Sequence, residues 1–209
     1  RNLRDISILS TLTELKDLNL NGCENITDIS MLGHVEELNF SDVDVTDISA
    51  LRGSKIKKLL LLRCENLRDV SVLSTLTELK YLYLCYCTNV TNVSVSIHVE
   101  VLDLGETNIA DISGLQGSKI KKLCFFNCPN LRDVSILSTL TELKDLDLSG
   151  CINVTDVSML GHVEELDITY TSVTDISALG NVKTLYYDRH NIVKFPERQT
   201  QTQTILQPS

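Results

Sequence analysis

No apolar stretch in this 209-residue sequence approaches the length that a membrane-spanning helix needs. Hydrophobic residues make up 43% of the chain, but polar and charged residues interrupt them well before the roughly 20 residues that cross a bilayer. The sequence therefore predicts no membrane insertion. Arg1 already lies inside a repeated phrase, with no apolar leader before it, so we expect the natural protein to continue upstream.

An excess of positive charge is also lacking. The net charge is −9 and the isoelectric point is near 4.9. Proteins that bind nucleic-acid backbones need clustered lysine and arginine. The densest basic spots, around Lys57 and its copy Lys121, are short and are diluted by neighbouring acids. The composition therefore predicts no binding of nucleic acid.

Motifs for catalysis, cofactors and metals are lacking as well. His34, His98 and His162 recur at intervals of 64 residues, whereas a catalytic histidine is expected to be singular and to have a nucleophile nearby. Cys85 and Cys87 are one residue apart, which sends their side chains to opposite faces of a strand and does not match redox or zinc pairs. No glycine-rich phosphate loop occurs. We expect no enzyme activity, no cofactor and no bound metal.

Internal repetition is what the sequence does contain. The phrase LSTLTELK begins at residues 9, 73 and 137, so the repeat unit is 64 residues long. Within each unit a leucine pattern recurs three times, at spacings of 19 to 23 residues. The nine central leucines are Leu18, Leu38, Leu59, Leu82, Leu102, Leu123, Leu146, Leu166 and Leu185. This period is the signature of leucine-rich repeats, in which each coil supplies one strand and completes its neighbour's core.

The periodicity within a coil predicts its two arms. Leu82 and Leu84 alternate with polar neighbours in the manner of a strand with one buried face. The later apolar series Ile26, Ile29 and Leu32 has a spacing of three, which suits a return arm of 3₁₀ or irregular turns. We predict a curved α/β-type solenoid, a horseshoe of about nine coils over residues 1–195, with a parallel concave sheet and short convex arms.

The last residues, 196–209, lack core periodicity and are predicted to be a flexible polar tail. The stretch RQTQT at 198–202 is similar to peptides that a dynein light-chain hub captures as an added strand. A plain polar linker is the alternative.

Seven cysteines leave the cellular compartment open. Five of them follow a strand at the same offset, and adjacent coils could bring Cys64 near Cys87, and Cys128 near Cys151, within disulfide reach. Buried thiols in a reducing, intracellular compartment are the simpler interpretation. Against it stand four N-x-S/T sequons, which only a secreted protein could use. These begin at Asn25, Asn89, Asn92 and Asn153.

The repeat phrases resemble known families. NITDISML and NVTDVSML resemble the short leucine-rich repeats that also occur in bacterial internalins. The cysteine-bearing versions, LNLNGCENITDIS and LDLSGCINVTDVS, resemble trypanosome leucine-rich-repeat proteins of the adenylate-cyclase-regulator type. The resemblance covers residues 3–192 and implies a curved solenoid that binds other proteins. It supplies no catalytic residues.

Differences between the copies predict a binding site on the concave face. Tyr81 stands where the other copies have Asp17 and Asp145, while core positions barely differ. The predicted patch comprises Leu60, Leu62, Tyr81, Tyr83, Cys85, Tyr86, Cys124 and Phe126. Acidic residues expected to select basic groups at its rim are Asp103, Asp145, Asp147, Glu165 and Asp167. Such a patch is typical of protein or peptide recognition.

Two alternatives stay open at this point. The aromatic side chains could simply stack along the sheet and stabilise it. The chain could also be a structural spacer or scaffold within a larger multidomain regulatory protein.

Overall fold

Twelve short strands recur along residues 5–26, 28–188, 191–194 and 204–206, the part of the chain that the computed structural model describes. In chain order they are β1 (Asp17–Asn19), β2 (Glu37–Asn39), β3 (Lys58–Leu60), β4 (Tyr81–Tyr83), β5 (Asn92–Ser94), β6 (Val101–Asp103), β7 (Asp111–Gly114), β8 (Lys122–Cys124), β9 (Asp145–Asp147), β10 (Glu165–Asp167), β11 (Thr184–Tyr186) and β12 (Thr204–Leu206). Ten of them form a single parallel sheet in the order β1-β2-β3-β4-β6-β8-β9-β10-β11-β12.

The nine predicted coils are confirmed, because each central leucine is the middle residue of a strand of this sheet. Adjacent coils pair in register, so that Leu59 is opposite Leu82 and Leu82 is opposite Leu102. The repeat therefore stacks equivalent side chains in columns. Leu59, Leu82 and Leu102 are at most 1% exposed, and they belong to one continuous apolar core that runs through the coils.

Seven return arms contain the predicted 3₁₀ turns. These 3₁₀ helices are Ser7–Thr11, Ser30–Leu32, Ser49–Leu51, Ser71–Thr75, Ser135–Thr139, Ser158–Leu160 and Ser177–Leu179. Each begins at the serine of an Asp-x-Ser sequence, and the aspartate accepts a hydrogen bond from the serine N–H. The Asp69 Oδ1 to Ser71 N distance, for example, is 2.8 Å. This contact satisfies a backbone donor that a helix start leaves without a partner.

The middle copy departs from the predicted 3₁₀ or irregular arms. The first two coils of this copy, which follow the strands of Leu82 and Leu102, carry β5 and β7. These form a second, two-stranded parallel sheet. A Cβ added to Gly114 would lie 2.4 Å from the carbonyl oxygen of Val93. Ala50 and Ala178 occupy the equivalent position in the other copies, where the arm is a 3₁₀ helix. The close approach of β5 and β7 therefore requires glycine at this position.

The two ends of the sheet differ. β1 has one neighbouring strand, β2, whereas beyond β11 the predicted tail contributes a further parallel strand, β12. The stretch 198–202, with the similarity to hub-binding peptides, lies outside the described residues. Across the described ranges, no helix is long and apolar enough to span a membrane.

Candidate functional site

The outer face of the ten-stranded sheet displays the residues on either side of each buried leucine. The strand register sets these side chains in parallel rows. One row runs Leu60, Tyr83, Asp103, Cys124, Asp147, Asp167 and the other runs Lys58, Tyr81, Val101, Lys122, Asp145, Glu165. All of these side chains are half-buried or exposed. Nine of the thirteen predicted binding residues therefore share this concave face of the sheet, and the other four, Leu62, Cys85, Tyr86 and Phe126, follow the ends of β3, β4 and β8.

The predicted apolar patch lies in two parts. Leu60, Leu62, Tyr81, Tyr83, Cys85 and Tyr86 belong to the neighbouring coils of β3 and β4, whereas Cys124 and Phe126 belong to the coil of β8. The intervening coil of β6 contributes Val101, Asp103 and Gly105. Gly105 has no side chain, and a Cβ added there would lie in ordinary contact with the Cβ of Phe126, at 3.5 Å.

Exposure within the larger part is highest at Tyr81 and Tyr86. Tyr81 is 40% exposed and Tyr86 is 43% exposed, while Tyr83, Leu60 and Leu62 are half-buried. Tyr86 has a left-handed backbone, with φ of 62°, and its ring lies under the Arg63 guanidinium at 5.5 Å. This contact orients Tyr86 at the rim of the face through a cation–π interaction.

Three of the predicted acidic residues also accept hydrogen bonds from backbone N–H groups. Asp103, Asp147 and Asp167 each accept the N–H of the residue two positions later, at 3.0, 2.8 and 2.9 Å respectively. Burial raises the pKa of Asp167, and nearby Asp147 and Asp188 also raise it. One oxygen of each carboxylate is therefore committed to the turn, and only the other can face a ligand.

The two remaining acidic residues have side-chain partners. Asp145 Oδ2 lies 2.9 Å from the ammonium nitrogen of Lys122, forming a salt bridge. Glu165 is exposed and accepts a hydrogen bond of 3.3 Å from the Tyr186 hydroxyl. The acidic rim therefore consists of carboxylates with defined positions rather than of freely rotating side chains.

A lysine-lined cleft lies beside Tyr81 and Tyr83. The cleft has a volume of about 490 Å³. Its lining residues are Glu37, Lys57, Lys58, Lys80, Tyr81 and Tyr83. The sequence showed the basic spot around Lys57 but did not assign it to the binding site. Comparison of the copies could have assigned these lysines to the site. Tyr81 replaces the aspartate that pairs with the equivalent lysine in the third copy.

Along the edge of this face, lysines and glutamates alternate with the 64-residue period. Glu100 lies between Lys80, at 3.4 Å, and Lys121, at 2.8 Å. Glu36 and Glu164 are flanked by two lysines in the same way. The hydrogen bond from Lys121 is the main cause that lowers the pKa of Glu100. Where one group of three meets the next, two lysines of adjacent coils are neighbours.

The five repeat-position cysteines are free thiols in the structure; Cys64, Cys87, Cys128 and Cys151 are buried in the core, and Cys23 is half-buried against it. The Cys87 thiol donates to the Leu61 carbonyl oxygen at 2.8 Å, and the Cys151 thiol donates to that of Phe125 at 3.1 Å. Burial raises the pKa of Cys151 to about 12. The thiols of Cys87 and Cys151 therefore satisfy backbone carbonyls of the preceding coil, and the raised pKa makes Cys151 a poor nucleophile.

The two cysteines on the concave face are also poor nucleophiles. Burial raises the pKa of Cys85 to about 12, with a further contribution from Asp103. Burial and Asp103 also raise the pKa of Cys124. Within the described part of the chain, no group of three or more histidine, cysteine or acidic side chains is placed to hold a metal ion.

Two of the four sequon asparagines have a structural partner. The side-chain amide of Asn89 donates to the Glu65 carbonyl oxygen at 2.6 Å, and that of Asn153 donates to the Pro129 carbonyl oxygen at 2.6 Å. Attachment of a glycan to either nitrogen would require this contact with the preceding coil to rearrange.

Two exposed apolar residues near the same rim were not predicted as site residues. Tyr170 is 64% exposed with a left-handed backbone, and Ile152 is 57% exposed. Their equivalents in the middle copy are the polar residues Glu106 and Thr88. The difference between copies that singled out Tyr81 would therefore have found both.

Comparison with known proteins gives one family match. The model described as the BspA-type leucine-rich-repeat region matches residues 1–106 and 103–188, with six copies of the repeat. No curated protein sequence matches the chain.

Solved structures share the fold. The leucine-rich-repeat domain of the type III effector XopL is 16% identical, with a TM-score of 0.67 over 86% of this chain and 71% of that one. The leucine-rich-repeat protein LIC12759 of Leptospira interrogans is 15% identical, with a TM-score of 0.64 over 93% of this chain and 57% of that one. An internalin, inlF, of Listeria monocytogenes is 22% identical and covers 93% of this chain and 72% of that one, with a TM-score of 0.43.

Proposed function

Because the chain belongs to the BspA-type leucine-rich-repeat family, we propose that it recognises a protein or peptide segment on the concave face of its sheet. Solenoids of this kind generally act as protein-interaction modules, since stacked coils create an extended concave surface. The finer proposal is that the aromatic patch around Tyr81 and Tyr83 is the anchor and that the acidic residues of β9 and β10 select basic groups.

The observation that carries the proposal is the exposure of the tyrosines on a face whose scaffold does not need them. Tyr81 is 40% exposed, although the equivalent position in the third copy accommodates an aspartate within the same strand geometry. Tyrosine supplies a large apolar area together with a polar tip, and it is enriched among residues that dominate binding energy. Removing these side chains should therefore weaken ligand binding far more than folding.

We propose further that the chain itself catalyses no reaction. Leucine-rich-repeat families are generally non-catalytic. The thiols of Cys85 and Cys151 have pKa values raised to about 12, which disfavours the thiolate at neutral pH.

Affinity capture with a matched variant tests the proposal. The native chain and a Tyr81→Ser, Tyr83→Ser, Phe126→Ser variant are immobilised, and the variant's folding is checked by thermal melting. A photo-crosslinking amino acid at position 83 is compared with one at Ser74, which lies on a return arm. Capture that depends on the tyrosines and a crosslink at position 83 alone would support concave recognition. An unchanged set of captured proteins would instead favour a spacer or scaffold role.

A further inference from the structure

The lysine-lined cleft, defined by Lys57, Lys58, Lys80, Tyr81 and Tyr83, points to the chemistry of the ligand. Resting on the proposed function, we infer that this cleft binds a peptide segment in which acidic side chains stand next to apolar ones. The lysine ammonium groups of the cleft would bind the carboxylates of the peptide, and the two tyrosine rings would pack against its apolar side chains. The first argument for this is the charge of the lining, three lysines against the single carboxylate of Glu37.

The second argument comes from an internal comparison. Lys58 and Lys122 are equivalent by the 64-residue period, and each faces the next strand. Lys122 forms a salt bridge with Asp145, whose carboxylate oxygen lies 2.9 Å away on that next strand. The residue opposite Lys58 is Tyr81, which carries no charge. Among the described residues, the salt bridge of Lys58 is with Glu37 on the preceding strand, at 3.5 Å.

The existing ion pairs leave the cleft able to accept another carboxylate. Lys80 is paired with Glu100 at 3.4 Å, and Lys57 is paired with Glu36 at 2.6 Å. The side chains of these two lysines are 52% and 47% exposed, and exposed ion pairs contribute little to stability. Each ammonium has three donors, so one carboxylate partner does not saturate it.

The negative charge of the whole chain does not override this local balance. The acidic strand β10 lies four strands away from β4 in the sheet, which is about 19 Å at roughly 4.8 Å per strand. The Debye length at physiological ionic strength is about 8 Å. The carboxylates of β10 are therefore screened at the cleft.

The test uses three labelled peptides and fluorescence polarisation. One short fluorescein-labelled peptide alternates glutamate with leucine, and matched peptides have serine or lysine in place of every glutamate. We expect the glutamate peptide to bind at least about tenfold more tightly than either matched peptide, a ratio that corresponds to about 1.4 kcal/mol. Raising the salt concentration should reduce the preference over the serine peptide.

The matched variant gives two residues of the middle copy the identities of their equivalents in the third copy. Tyr81→Asp with Tyr83→Asp places in this strand the residues that β9 carries in the same register, so the fold should be retained, as circular dichroism would verify. This variant should lose the preference for glutamate over serine. The reverse variant, Asp145→Tyr with Asp147→Tyr, should raise the stoichiometry of peptide binding from one to two. Lys58→Gln with Lys80→Gln, which keeps both tyrosines, should also abolish the preference.

Each contrary outcome overturns the inference. Equal affinity for the glutamate and serine peptides would do so, as would an unchanged preference in Tyr81→Asp, Tyr83→Asp. A labelled single-stranded oligonucleotide that binds more tightly than the glutamate peptide would assign the cleft to nucleic acid instead. If tyrosine-dependent capture persists while the glutamate preference is absent, the proposed recognition function stands and only the acidic-peptide inference fails.

Discussion

The same substitution at two adjacent phenylalanines should destabilise the protein to very different extents. Phe125 is completely buried, whereas Phe126 is 44% exposed on the concave face. Phe125→Ala removes a core side chain and leaves a cavity, which should lower the free energy of unfolding by about 3–5 kcal/mol. Phe126→Ala leaves no enclosed cavity and forfeits roughly half of a transfer free energy of 1.5–3 kcal/mol, which is about 1 kcal/mol.

The first copy supplies a control pair at the same positions. Leu61 is completely buried and Leu62 is half-buried, so Leu61→Ala should cost about 2–5 kcal/mol and Leu62→Ala should cost about 1 kcal/mol. Urea unfolding followed by far-ultraviolet circular dichroism and tyrosine fluorescence would measure all four values, with coincident transitions as the condition for comparing them. A cost for Phe126→Ala equal to that for Phe125→Ala would refute the predicted alternation and the availability of Phe126 to a ligand.

The convex arms, the turn aspartates and the buried thiols give three further tests. Gly114→Ala should cost about 1–3 kcal/mol through overpacking, because its Cβ would meet the neighbouring strand, while Gly33→Ala, with open space around it, should leave the urea midpoint unchanged. Hydrogen bonds from Ser177 and then Lys194 lower the pKa of Asp175 to about 2, so its contribution to stability is present above the unfolded-state pKa near 4 and is lost as the pH falls to about 2. Asp175→Asn should therefore lose less stability than the native chain between about pH 5 and pH 2, and equal losses would contradict this. With its pKa raised to about 12, Cys151 should react with a disulfide reagent at about pH 8 on the order of a thousandfold more slowly than in urea, and equal rates would contradict its burial.

The coil architecture was predictable because it depends on local patterns that every copy repeats. A strand with alternating burial and an arm with a three-residue apolar spacing can be read directly from Leu82, Leu84, Ile26 and Ile29. The β5–β7 sheet was not predictable in this way, because its cause is a contact between coils: Gly114 matters only since Val93 of the preceding coil approaches it.

The candidate site shows the same division. Comparison of the three copies identified Tyr81 from the sequence, since the equivalent residues of the other two copies are charged. The partners of the lysines could not be read off, because Lys58 and Lys122 have the same local sequence role but face different residues on the next strand. The structural role of Asp147 could not be predicted from the sequence either, because the hydrogen bond that it accepts from the Ser149 N–H depends on the turn that follows the strand.

Duplication explains why this division between core and surface is so clear. Equivalent leucines in the three copies fill the same columns of the core, so substitutions there affect the fold of each coil. The positions beside them face outward, and the sheet accepts aspartate, asparagine or tyrosine at the same register. A change such as the one between Tyr81 and Asp145 can therefore alter the charge of a binding surface without altering the coil that carries it. The proposed recognition site lies where two outward residues of the middle copy, Tyr81 and Tyr83, differ from their equivalents in the other copies, while Leu82 between them keeps its place in the core.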